Sequence, residues 1–139
     1  MNNLPIPRLV QICCASFPEL EALYLFGSEA RGEAWPDSDL DLALLLPTEQ
    51  AKAAGSLALS DLAWELSKEL DRKVDLVNLR TLSTVFQMQV ISNGKVLYTK
   101  DPERLYEFEA LVLSLYQHLK EERAAIEREI MRTGEIYAP

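Results

Sequence analysis

Residues 25–42 read Leu-Phe-Gly-Ser-Glu-Ala-Arg-Gly-Glu-Ala-Trp-Pro-Asp-Ser-Asp-Leu-Asp-Leu. They join the end of one apolar run, Ala22 to Phe26, to the start of another, Asp39 to Leu46. A short aliphatic and aromatic run that stops at a glycine reads as a strand followed by a turn. Ser28 reads as the N-cap of a short helix over Glu29 to Arg31, ending near Gly32. Trp35-Pro36-Asp37-Ser38 reads as a loop, and Asp39 to Leu46 as a second strand that Pro47 closes.

The second strand carries Asp39-Leu40-Asp41. Strand side chains alternate between faces, so the two carboxylates point the same way, with Cα atoms roughly 6.6 Å apart. Leu40, Leu42 and Leu44 take the opposite face and are expected in the core. A strand built only for stability gains nothing from two repelling carboxylates beside a run of leucines. A hard divalent cation removes that cost, and Mg²⁺ accepts both carboxylate and phosphate oxygens. The Gly27-Ser28 turn, with ten residues between it and Asp39, suits a phosphate: glycine allows close approach, and the hydroxyl and backbone N–H groups can donate. Val74 to Leu79 reads as a third strand, and its Asp75 is a candidate third carboxylate. If that strand pairs beside the second, Asp39, Asp41 and Asp75 converge and can hold two Mg²⁺ ions, as two-metal phosphoryl chemistry requires. Asp75 is then the natural proton acceptor, or the group that orients it. Taken singly, each feature is bland: a Gly-Ser is a turn, an Asp-x-Asp can be a solvated edge, and a lone Asp is most often surface. Gly27 to Gly32 has the glycine spacing of a P-loop, but Glu33-Ala34 stands where that loop needs Lys and Ser or Thr, so a P-loop ATPase is excluded.

Around this centre the periodicity predicts a helix over Pro7 to Ser16 and a long helix ending near Leu70. The long helix has a stripe of Leu59, Leu62, Ala63, Leu66 and Leu70, and Gly55-Ser56 is a point where it can break. A helix from Ser83 to Asn93 is expected with Val85, Phe86, Val90 and Ile91 apolar and Gly94 as its C′ residue. A fourth strand spans Lys95 to Thr99. One terminal helix runs from Pro102 to Arg132, apolar through Phe108, Leu111, Val112 and Leu115, with a thinner stripe beyond Leu119 that suits a solvated extension or a docking surface. The fold class is therefore α/β (α+β): a mixed sheet of about four strands packed with helices. One domain spans 1–139, with its core over about 18–100 and a long C-terminal helix over about 102–132.

The chain has 139 residues, 14 Lys and Arg against 22 Asp and Glu, and a formal charge of -8. Such a surface repels phosphate backbones, so direct nucleic-acid binding is disfavoured, whereas a metal-bridged nucleotide or a basic protein partner is not. Cys13 and Cys14 are adjacent, which fits neither a disulfide nor a zinc site, and at least one is expected on the buried face of the first helix. No segment reads as a signal peptide or is apolar for long enough to cross a membrane, so a cytoplasmic location is expected.

Gly-Ser, a spacer, Asp-x-Asp and a later strand Asp together resemble the DNA polymerase beta-like nucleotidyltransferase superfamily. The short spacer and small size resemble the minimal nucleotidyltransferases of the MntA type, antitoxins paired with HEPN-domain toxins (HepT). The stretch from Leu25 to Leu42 carries the resemblance, as does Leu66 to Leu79 with its Lys73-Val-Asp-Leu-Val. The likeness extends over Ala22 to Tyr98, and the terminal helix matches only in kind. It implies a Mg²⁺-dependent protein adenylyltransferase that moves AMP from ATP to a tyrosine of a HEPN RNase toxin and silences it, in a hetero-oligomer. It also implies that Gly27 and Ser28 seat the phosphates, that Asp39 and Asp41 bind Mg²⁺ and that Asp75 completes the site. Arg31 either touches the phosphates or caps the short helix at the surface. Two other functions fit less of the pattern. A purely binding antitoxin leaves the three carboxylates without a role. A transferase acting on a small molecule such as an aminoglycoside usually carries a further substrate domain.

Overall fold

A computed structural model describes residues 4–33, 35 and 38–134. Four strands, β1 (Ala22–Phe26), β2 (Leu40–Leu45), β3 (Val74–Asn78) and β4 (Lys95–Thr99), form one sheet in the order β3-β2-β1-β4. The β1 strand runs antiparallel to both β2 and β4, and β2 runs parallel to β3. The mixed four-stranded sheet expected from the sequence is thus present. A parallel pair needs a crossover. Two helices supply it, α3 (Thr48–Ala54) and α4 (Asp61–Leu70).

The single long helix expected before Leu70 is therefore two. Gly55 divides them with φ +61 and ψ −141, and Ser60 restarts the chain as an N-cap that accepts a hydrogen bond from the Ala63 N–H. The break shifts the apolar phase. Leu59, placed in the stripe by its spacing, is fully exposed, and Leu57 is buried in its stead. Asn78 at the end of β3 donates to the carbonyls of Ala51 and Gly55 at 2.9 and 2.8 Å, tying the end of α3 to the sheet.

The sheet has a cluster on each face. Leu40, Leu42 and Leu44 join Leu23, Leu25 and Leu76 against α1 (Ile6–Ser16) and α4, through Leu9, Ile12, Cys13, Leu62 and Leu66. Cys13 is fully buried, as the adjacent-cysteine pattern suggested, and Cys14 packs partly against the same cluster. On the other face Ala22, Tyr24, Ala43 and Leu45 meet α5 (Thr84–Asn93) and α6 (Pro102–Thr133). There the expected apolar residues are only partly used. Val90 is buried and Ile91 partly so, whereas Val85 and Phe86 are exposed and Gln87 turns inward to donate to the Leu79 carbonyl. In α6, Leu105, Phe108 and Val112 are buried, but Leu111 and Leu115 are not. Among the described residues beyond Val112 no side chain of α6 is buried, so the second half of that helix leaves the body of the fold with Leu113, Leu119, Ile126 and Met131 exposed. No helix among the described residues is long and apolar enough to cross a membrane.

Gly94 ends α5 in extended backbone, φ −86, rather than the left-handed conformation expected of a C′ glycine. Close approach is what requires glycine here. A Cβ would lie 2.4 Å from the Val90 carbonyl oxygen and 3.0 Å from that of Leu25, both backbone atoms. Gly94→Ala is expected to destabilise the fold by about 1–3 kcal/mol in urea denaturation. Leu59→Ser, at a fully exposed position, is expected to stay within about 0.5 kcal/mol of the parent.

Candidate active site

The β2 and β3 strands run parallel with Asp41 opposite Asp75 and Leu40 opposite Val74. Paired residues share a face, so Asp39, Asp41 and Asp75 lie on one side of two adjacent strands. This is the side that further along carries Ala43 and Leu45. On its other edge β2 pairs with β1, and Phe26 stands opposite Asp41. The chain leaves β1 at that point into α2 (Gly27–Ala30), a single turn of helix. The Gly-Ser turn and the carboxylates therefore meet, as the spacing predicted.

The meeting is tight. Gly27 has φ +73, and a Cβ on it would sit 2.1 Å from Asp41 Oδ2. Only glycine gives both that backbone conformation and that clearance. Ser28 is not the cap. Phe26 occupies the N-cap position, no side chain caps the turn, and Ser28 lies half-buried within it. The short hydroxyl has no cap to fill because glycine, in left-handed backbone, already begins the turn.

The carboxylates repel one another. Partial burial pushes the Asp41 carboxyl up from 3.8 to about 6, the charges of Asp75 and Asp39 and a hydrogen bond with Asp75 add to the shift, and the Arg31 charge opposes it. Lys73 lies over the pair, with Nζ 3.6 Å from Asp39 and 3.9 Å from Asp75, but it is 71% exposed, and such a pair contributes little. Arg31 is half-exposed and donates to Glu33 at 2.6 Å. It is thus held at the surface yet close enough for Asp41 to feel its charge.

Asp39, Asp41 and Asp75 are the residues able to hold a cation here. Their oxygens are hard donors, and a cation among them would offset the burial and mutual repulsion that raise the Asp41 carboxyl. The site fits Mg²⁺ on that ground. Among the described residues no three His, Cys, Asp or Glu side chains already stand at closed metal-ligand spacing. Three carboxylates leave part of a cation's shell open to substrate oxygens, which suits Mg²⁺.

One residue had no signal in the sequence reading. Arg72, in the turn between α4 and β3, donates from Nε and one terminal nitrogen to the Ser38 carbonyl at 3.1 and 2.5 Å, and from the other to Glu29 at 2.8 Å. Its partners lie 34 and 43 residues away in sequence, so no local pattern marks it.

The family profile described as "Polymerase beta, Nucleotidyltransferase" matches residues 9–103, which include the turn, all three carboxylates and the whole sheet. The chain belongs to the polymerase beta nucleotidyltransferase family. Within it the chain is of the MntA type and is a nucleotidyltransferase. It is 37% identical over 132 residues to the protein adenylyltransferase MntA of Shewanella oneidensis, covering 94% of this chain and 91% of the relative. It also resembles a chain of a crystal structure of a toxin–antitoxin with AMP-PNP, at 35% identity and TM-score 0.73 over 92% of this chain and 99% of that one. A third likeness is to a chain of the tri-AMPylated Shewanella oneidensis HEPN toxin in complex with MNT antitoxin, at 34% identity and TM-score 0.69 over 94% of this chain and 99% of that one. Family membership agrees with the resemblance drawn from residues 25–42 and with the fold expected from it.

The raised Asp41 carboxyl makes stability depend on pH. The unfolded group titrates near 3.8 and the folded one near 6, so the folded state binds the proton more tightly. This group's contribution to stability therefore falls as pH rises between those values, and its cost is fully present above the higher one. Asp41→Asn removes the charge. The variant is expected to melt higher than the parent at pH 8, with the difference vanishing near pH 4, as read by thermal melts across that range.

Proposed function

We propose that this chain is a Mg²⁺-dependent protein adenylyltransferase of a toxin–antitoxin pair, and that it moves AMP from ATP to a hydroxyl of a HEPN-family RNase toxin and so neutralises it. The observation that carries the reading is the register that sets Asp41 beside Asp75 with the Gly27 backbone against the Asp41 carboxylate. Phosphate positioning and carboxylate chemistry then share one site. The S. oneidensis relative is named a protein adenylyltransferase, and one of the similar complexes is described as holding a tri-AMPylated HEPN toxin, which supports the same reaction here. A hetero-oligomer with such a toxin follows, and the apolar side chains exposed on α6 leave surface for it. The tyrosine acceptor is an inference from the family. Two reduced cysteines and the absence of a membrane-crossing helix among the described residues agree with a cytoplasmic setting.

In this reading Gly27 and Ser28 present backbone N–H groups and a hydroxyl to the triphosphate, and Arg31 adds positive charge beside it. Asp39, Asp41 and Asp75 would hold the metal, which when bound would neutralise phosphate charge and ease deprotonation of the acceptor hydroxyl. The acceptor oxygen bonds to the α-phosphorus as the bond from that phosphorus to the bridging oxygen of the β-phosphate breaks, and pyrophosphate leaves. Asp75 takes or orients the hydroxyl proton. All 139 residues serve as one such domain.

Incubation with a HEPN toxin partner, ATP and Mg²⁺ is expected to add AMP to the partner, read by intact-mass spectrometry, and EDTA is expected to stop it. Asp39→Asn and Asp41→Asn are each expected to lower transfer by 10³-fold or more, on the order of what loss of a metal-held transition state costs. Ser28→Ala is expected to lower it only about tenfold, because the backbone donors remain. An antitoxin that acts by binding alone would neutralise its partner with no gain of mass and would be indifferent to the Asp changes. A small-molecule transferase would leave the protein partner unmodified and label an added aminoglycoside instead. Transfer at the parental rate in either Asp variant would sink the metal assignment.

A further inference from the structure

We infer that Arg72 is a positioning residue for the transfer step, tying the phosphate-binding turn to the strand that carries the catalytic carboxylates. This inference rests on the adenylyltransferase reading. The guanidinium is a planar fork with donors on two edges. One edge, Nε and a terminal nitrogen, grips a single acceptor, the Ser38 carbonyl, at 3.1 and 2.5 Å. That carbonyl belongs to the peptide bond leading into Asp39, so fixing it fixes the plane from which the Asp39 side chain departs. The other terminal nitrogen bonds Glu29 at 2.8 Å, and both side chains of that ion pair are largely buried, at 16% and 11% exposure. Glu29 is the third residue of the turn that begins at Gly27.

Arg72 is itself aimed by rigid backbone. Asp71 adopts the left-handed conformation, φ 50, where α4 ends. The Arg72 N–H donates to the Ser67 carbonyl, the Val74 N–H to Ser67 Oγ, and the Leu40 N–H to the Lys73 carbonyl at 2.9 Å. The guanidinium therefore hangs from a turn anchored to α4 and to β2, and joins two segments that have no regular pairing with each other. Loss of it leaves the sheet, the register of Asp41 with Asp75 and the Gly27 contact in place. What changes is the aim of Asp39 relative to the turn. Misplacement of about 1 Å costs on the order of 10²-fold in rate.

Lysine keeps the charge but supplies one point donor instead of a fork, so it cannot hold Glu29 and the Ser38 carbonyl at once. Arg72→Lys is expected to lower kcat for AMP transfer by ten- to a hundredfold, in line with that misplacement, while the affinity for Mg²⁺ with AMP-PNP, measured by calorimetry, changes by less than about threefold. Arg72→Met alone leaves Glu29 buried without its partner and is expected to melt lower. The double variant Glu29→Leu, Arg72→Met removes both charges and is expected to regain the parental melting temperature without regaining rate. That split separates positioning from mere stabilisation. A double variant that recovers rate together with melting temperature would overturn the inference, as would parental kcat in Arg72→Lys. If the parent protein itself transfers no AMP, the adenylyltransferase reading has failed instead.

Discussion

Asp41 and Asp75 are held against their own repulsion by the parallel pairing of β2 with β3, and Asp39 stands just before that pairing begins. The hydrogen bonds of that ladder are backed by a core on both faces of the sheet, and they keep Asp41 beside Asp75. In water the two side chains would separate. Here the backbone register keeps their Cα atoms opposite one another, and partial burial adds to the cost. A site of this kind is less stable empty than a sheet end furnished with neutral residues would be.

The same register sets the requirement for Gly27. The antiparallel partner of Asp41 is Phe26, so the next residue must turn away within reach of the carboxylate. The left-handed backbone and the missing Cβ of Gly27 are consequences of where β2 puts Asp41, not independent features of a turn. Arg72 works from the opposite side of β2. It bonds the peptide before Asp39 and the far end of the Gly27 turn, so the two ends of the loop between β1 and β2 are joined through a third segment. Loop residues 34, 36 and 37, on which part of the sequence reading fell, lie outside the described residues.

What was legible in the sequence was whatever short-range alternation encodes. The Ala22–Phe26 and Lys95–Thr99 strands fall where the apolar runs put them, and the other two differ by a residue or two at their ends. The site was legible because Asp39, Leu40 and Asp41 state their own faces once they are taken as a strand. Errors arose where tertiary context chose among equivalent apolar residues. Leu59 fits a helical stripe, but Gly55 resets the phase before it. Phe86 and Leu111 are as apolar as Val90 and Val112, and only the position of the neighbouring helix decides which are covered. Arg72 and Asn78 were invisible for a related reason. Each satisfies backbone carbonyls on segments distant in sequence, and a single polar residue carries no period.

The crossover from β2 to β3 also has a consequence for how the protein is made. Leu40 pairs with Val74 and Asp41 with Asp75, so no part of the third carboxylate's seat exists until the chain has returned through α3 and α4. Antiparallel neighbours can zip locally, whereas parallel strands must first close a long loop. During synthesis, a ribosome that has released β1 and β2 has released the turn and two acids but not the third. A chain stopped before Val74 therefore lacks both the strand that pairs with β2 and the third acid.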